Sequence, residues 1–171
     1  MTKPTQNAHE LLEKHGVLTL PIPIEEIARS EGALIARKSF DGTQSGFALR
    51  DGETWIIGVN ASTSPRRQRF TIAHELGHLV MHQGKLIVDH TMRVNWRDEK
   101  SSMATDAEEI EANAFAAAIL MPEVAIRQRV STHLRERPMS RESLISELSR
   151  EFDVSVEAMG YRLINLGILV S

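Results

Sequence analysis

The stretch that most limits what this chain can become is Arg69-Phe70-Thr71-Ile72-Ala73-His74-Glu75-Leu76-Gly77-His78-Leu79-Val80-Met81-His82, which sets the pattern His-Glu-x-x-His inside an amphipathic run. On an α-helix, residues four apart lie about 40° apart around the axis with Cβ atoms about 6 Å apart. His74 and His78 therefore point the same way, and two imidazoles can close on one metal ion. Glu75 is turned about 100° from His74 and reaches past the ion, where it can take a proton from an attacking water. Seven histidines in 171 residues make a chance pair at i and i+4 easy, so the setting has to decide. Phe70, Ile72, Ala73, Leu76, Leu79 and Val80 surround the polar groups with apolar helix surface, and burying three such groups without a partner is costly. Gly77 costs about 1 kcal/mol against alanine inside a helix, a cost usually tolerated where another backbone must come close.

A catalytic zinc typically takes three protein ligands and leaves its fourth position for water, so the chain must supply a third donor. Residues Asp106 to Pro122 read as a second helix, starting at Thr105 or Asp106 and stopping at Pro122. Glu109, Ala112, Asn113 and Ala116 share one face of it, small enough for another helix to approach. Glu109 is the expected third ligand. Asn113, one turn on, is expected to hydrogen-bond the second nitrogen of a ligating histidine or Glu75 itself. The rivals are Glu108, about 100° around from Glu109, Glu111, about 200° around, and His82, which continues the i, i+4 series. Three successive turns of a straight helix fan away from a point, so His82 is expected beside the ligands, on the substrate side, or simply as a polar helix end.

These residues resemble the ImmA/IrrE family of metallo-endopeptidases: His74 to His82 preceded by Arg69-Phe70-Thr71, and the block Glu109-x-x-Ala112-Asn113-x-Phe115-Ala116 ending in Leu120-Met121-Pro122. The likeness runs from Pro21-Ile22-Pro23-Ile24 to Leu169. It implies a zinc-dependent, thermolysin-like core with His74, His78 and Glu109 as ligands and Glu75 as general base. Characterised members of that family cut a partner transcriptional repressor of the helix-turn-helix type, which makes such a repressor the expected substrate by analogy. The competing class is a non-cleaving regulatory or toxin-antitoxin binding protein that keeps the zinc site for structure. Glu75 argues against it, because a structural site has no need of a base.

With 42% hydrophobic residues the chain can bury a core as one unit, and its formal charge of −3 gives no sign of a general attraction to nucleic acid or membrane. It has no cysteine, which excludes disulfides and thiolate ligands. The longest apolar run, Ala114 to Met121, is far short of the roughly 20 residues of a membrane span, and residues 1 to 20 carry no charged leader with an apolar core. A cytoplasmic protein is expected.

Thr5 to Lys14 and Ile24 to Ser30 read as short helices. Ala33 to Lys38, Gly46 to Arg50 and Thr54 to Val59 read as strands, the last two joined through Asp51-Gly52, a strong hairpin signal. The expected fold class is α+β: a small antiparallel sheet packed on a thermolysin-like core around the metal-motif helix, followed by a C-terminal helical, helix-turn-helix-like unit. The expected division is a zinc peptidase core over 1–122 and a helical subregion packed on it over 123–171.

A strand leading straight into the metal helix could offer a free edge to an extended peptide, with Asn60 orienting it; a turn role for Asn60 is the equal alternative. His82 is the other candidate contact to substrate. Arg66, Arg67 and Arg69 read as solvated surface. Gly84 to Ser102 lack periodicity and read as a lid, a substrate rim or a plain crossing between helices. His90, His133 and Tyr161 are candidates for stabilising an oxyanion by chemistry alone. From Ser140, the apolar positions Leu144, Leu148, Phe152, Val154, Met159 and Leu163 have the cadence of helix, tight turn, helix. Between Met139 and Ser171, three arginines (141, 150, 162) face five acids (142, 147, 151, 153, 157), a net of −2. Direct contact with nucleic acid is therefore not expected, since phosphates need neutralising.

Overall fold

A computed structural model describes residues 2–17, 19–39, 45–51, 54–82 and 99–170. The chain order is α1 (Lys3–Lys14), α2 (Ile24–Ser30), β1 (Ala33–Lys38), β2 (Gly46–Asp51), β3 (Thr54–Asn60), α3 (Pro65–Met81), α4 (Glu99–Leu120), α5 (Glu123–Glu136), α6 (Arg141–Glu151) and α7 (Val156–Asn165). The α+β expectation stands.

The sheet is mixed, however, where an antiparallel one was expected. Its order is β1-β3-β2, with β2 antiparallel to β3 and β1 parallel to it. The strands do alternate in direction along the chain, as a meander would. β3 inserts between its two predecessors because it is the most apolar strand: Ile57 and Val59 are fully buried, while Leu34 on β1 and Leu49 on β2 are exposed. Charged ends, Arg37-Lys38 and Arg50-Asp51, suit β1 and β2 to the edges. Both edges of β3 are thus occupied, which corrects the expectation that this strand offers a free edge to substrate.

α3 begins where Ser64 accepts a hydrogen bond from the Arg67 amide at 3.3 Å and Pro65 presets the first helical turn. It packs against α4, β2, β3 and α2. α4 begins at Glu99, before the expected Thr105 or Asp106, because capping-type residues are also tolerated inside a helix at a few tenths of a kcal/mol each. The core runs between α3 and α4 through Ile72, Ala73, Leu76, Phe115, Ile119 and Leu120, with α1 laid along α4.

Pro122 ends α4 as expected, and α5 follows at once. Ser140 and Ser155 cap α6 and α7, each accepting from the amide three residues on. Leu144, Leu148, Phe152, Val154, Met159 and Leu163, the positions singled out in the sequence, are all buried. Among the described residues, no helix is long and apolar enough to cross a membrane. The lid or rim expectation for Gly84 to Ser102, with His90, lies outside the described residues except where Glu99 onward joins α4.

Candidate metal centre

The contact between α3 and α4 is lined by small residues: Ala73, Gly77, Ala112 and Ala116 are buried there. A Cβ added to Gly77 would stand 3.0 Å from the Phe115 ring, so the missing methyl sets how near the two helices come. At that separation His74 and His78 from α3 meet Glu109 from α4.

His74 Nε2 lies 3.2 Å from His78 Nε2 and 3.3 Å from Glu109 Oε2, and His78 Nε2 lies 3.2 Å from Glu109 Oε1. Ligands held 2.0–2.1 Å from a tetrahedral ion stand about 3.3–3.4 Å from one another, which follows from zinc–nitrogen and zinc–oxygen distances. The edge between the two imidazoles matches such a site, the two edges to Glu109 are of the same size but end on its different oxygens, and two imidazoles with one carboxylate are a donor set that divalent ions accept. These three residues are the group that could hold a metal among the described residues.

Electrostatics favour a carboxylate at this point. Burial opposes ionisation of Glu109, but hydrogen bonding to His74 and His78, and their charge, outweigh it and hold the carboxyl well below its usual range. For His74, burial pulls the other way, yet its hydrogen bond to Glu109 and the nearby Glu75 and Glu109 charges raise its pKa. Glu75 is buried beside this pair.

The outer ring nitrogens are also engaged. His74 Nδ1 is 3.0 Å from Asn113 Oδ1, the contact that the helix spacing predicts for Asn113. His78 Nδ1 is 3.3 Å from His82 Nδ1, and His82 Nε2 is 2.9 Å from Glu111 Oε2. Of the rivals to Glu109, His82 and Glu111 therefore pair with each other behind His78.

Asn60 is buried, and its Oδ1 accepts from the Ser62 amide at 3.0 Å in the turn that links β3 to α3. His133 pairs with Glu151 at 2.6 Å between α5 and α6, and Tyr161 stands exposed on α7.

The arginines before the motif are more than solvated surface. Arg69 Nη2 donates to Ile22 O at 2.9 Å, and its Nε donates to Asp153 O at 3.3 Å and pairs with Asp153 Oδ2 at 3.3 Å. Arg66 pairs with Asp153 Oδ1 at 3.2 Å. Asp153, at φ +50, forms the turn between α6 and α7 and takes a left-handed conformation that aspartate tolerates better than most residues. A run of arginines ahead of an apolar helix gives no sign of partners 84 and 87 residues away.

Fold and site together define the class: an α+β protein with a small mixed sheet and a His-His-Glu candidate site for a divalent metal, built by two crossing helices. The Peptidase_M78 family model, described as the IrrE N-terminal-like domain, matches residues 12–164, and the chain belongs to that family. The chain is 34% identical over 119 residues to the radiation response metalloprotease IrrE of Deinococcus radiodurans, covering 66% of this chain and 32% of that protein. With the radiation response metalloprotease IrrE of Deinococcus deserti it shares 33% identity over 114 residues, covering 66% and 37%. It thus spans about a third of the length of these relatives. An uncharacterized immunity region protein 2 of Bacillus phage phi105 is 29% identical over 89 residues, 51% of each chain. A solved structure of a Mycobacterium tuberculosis transcriptional regulator has the same fold, with a TM-score of 0.62 over 96% of this chain and 47% of that one, at 21% identity.

Proposed function

We propose that the chain is a zinc-dependent endopeptidase whose substrate is a helix-turn-helix transcriptional repressor. The observation that carries the peptidase reading is the triangle of His74, His78 and Glu109 donors with Glu75 buried one residue from His74. His74, His78 and Glu109 would hold the ion, and Asn113 would fix the ring of His74. Zinc, when bound, lowers the pKa of water toward about 7 and polarises the peptide carbonyl. Glu75 takes the proton of the attacking water and returns it to the leaving amine. Belonging to a family that contains metalloproteases supports this reading, and the phage immunity-region relative supports a repressor as substrate.

The test is metal content by mass spectrometry alongside cleavage of purified helix-turn-helix repressors, for the wild type, Glu75→Gln, Glu109→Ala and Glu111→Ala. About one zinc per chain is expected in the wild type and in Glu75→Gln, with cleavage lost in the latter by about 10³-fold or more, since the base is removed. Glu109→Ala should lose the metal and Glu111→Ala should keep most of it. A Glu75→Gln protein that still cuts at the wild-type rate would refute the assignment of the base.

A further inference from the structure

His82 sits at the C-terminal end of α3, its amide bonded to His78 O at 2.9 Å, with its ring turned back along the helix toward His78. Its side chain is 8% exposed, whereas that of Glu111 beyond it is 39% exposed. Three groups therefore run in line from the candidate metal centre to the surface: His78, His82 and Glu111. A buried imidazole bonded through both nitrogens is placed for a task that packing alone does not require.

The protons along this line follow from one condition. If His78 gives its Nε2 lone pair to a metal, its proton stands on Nδ1 and is donated to His82 Nδ1, which must then be an unprotonated acceptor. The proton of His82 consequently stands on Nε2 and is donated to Glu111 Oε2. One carboxylate at the surface thus selects the tautomer of two rings in series and leaves the Nε2 lone pair of His78 aimed at Glu109 and His74. His74 reaches the same state by a shorter route, donating Nδ1–H to Asn113 Oδ1.

We infer that His82 is a positioning residue for the metal centre, holding the ring and tautomer of His78 through a hydrogen-bonded line that ends on Glu111. This rests on the metal reading above. Of the places that helix spacing left open for His82, it selects the one beside a ligand over the substrate side. Glu111 becomes the anchor of that line.

The experiment measures zinc affinity by competition with a chromogenic chelator for the wild type, His82→Leu, His82→Asn and Glu111→Ala. It is joined to long-range nitrogen–proton spectra of the imidazoles in the zinc-loaded proteins. His82→Leu should weaken zinc about 10- to 100-fold, the usual cost of removing a partner that orients a ligand. His82→Asn, whose Oδ1 can take the place of the ring Nδ1 as acceptor, should return to within about threefold of the wild type, and Glu111→Ala should lose about two- to tenfold, because water replaces an exposed carboxylate only in part. In the wild type, both His74 and His78 should show a slowly exchanging Nδ1–H. His82→Leu should lose the protection at His78 alone, a selective change that a general loosening of the fold would not produce. Equal zinc affinity across the set, metal on His78 Nδ1, or loss of protection at both histidines in His82→Leu would overturn the inference while leaving the metal reading intact. A wild type that takes up no zinc would overturn both. Should His82→Leu fail to fold, His82→Asn with its proton signal retained and Glu111→Ala with weakened zinc still decide, and unchanged spectra in Glu111→Ala with unchanged affinity would sink the line.

Discussion

The two ends of α3 bury polar side chains in opposite ways. At its start, Arg66 Nε and Arg69 Nε and Nη2 meet oxygens of Asp153 and the carbonyl of Ile22. Toward its end, two imidazole nitrogens face each other at 3.2 Å, with a carboxylate oxygen at a similar distance from each. The first arrangement pairs donors with acceptors and is complete in itself, tying the turn between α6 and α7 to the helix. The second sets like atoms in a ring about a common point, which is how donors stand around an ion. The difference teaches that a functional cluster is recognised by what its atoms converge on, more than by how deeply they are buried.

The sharpest way to break this contrast is to part the helices at the convergent end. Gly77→Val pushes into the fully buried Phe115 ring, and overpacking of this kind costs about 1–3 kcal/mol. We expect a loss near the top of that range, read by urea unfolding, together with weaker zinc binding because Glu109 is carried away with α4. Unchanged zinc affinity in a folded Gly77→Val protein would show that helix separation does not set the donor triangle.

Next in size is Arg69→Met. It removes the charged donor to Asp153 O and one of two donors to Ile22 O, which keeps the Ile24 amide, for an expected loss of about 1–3 kcal/mol, while zinc affinity should stay within about twofold of the wild type if the two ends of α3 are independent. A parallel fall in zinc binding would mean that the turn between α6 and α7 is coupled to the metal centre. Asp153→Asn keeps the turn residue but removes a carboxylate 38% exposed, so about 1 kcal/mol or less should be lost.

The smallest effect is expected at Glu25, which ties α2 to β1 through Arg37. Hydrogen bonding to Arg37 is the main cause holding its carboxyl below the usual range, with the Arg37 and Arg29 charges adding to it against the opposing effect of burial. A depressed folded pKa contributes stability at neutral pH that is lost as pH falls through the carboxylate range. Glu25→Gln should therefore be less stable than the wild type by under about 1 kcal/mol near pH 7, and the gap should close in acid. A gap that widens in acid would show the sign to be wrong.

What could be read from the sequence follows the reach of local geometry. The shared face of His74 and His78, the stop at Pro122, and the common face of Glu109 and Asn113 are all set by the helical repeat, and the structure brings these four side chains together. The apolar cadence from Leu144 to Leu163 was legible for the same reason. Strand order was not, because alternating directions fit either a meander or an insertion, and only burial puts β3 in the middle. The pairing of His82 with Glu111 depends on the angle at which α4 crosses α3, which no single-helix argument contains. The Arg69 contacts join residues far apart in the chain and had no local signature.

The missing side chain at Gly77 acts as a caliper between two backbones. Calcium gathers about six to eight oxygen donors at about 2.3–2.6 Å, whereas this cradle offers two imidazoles and one carboxylate. Room for further protein oxygens would mean sliding a whole helix off a packed aromatic ring, which rotating side chains alone does not supply. The close approach of the scaffold thus limits how many donors can gather, and zinc should stay bound in a large excess of calcium, as a displacement titration would read.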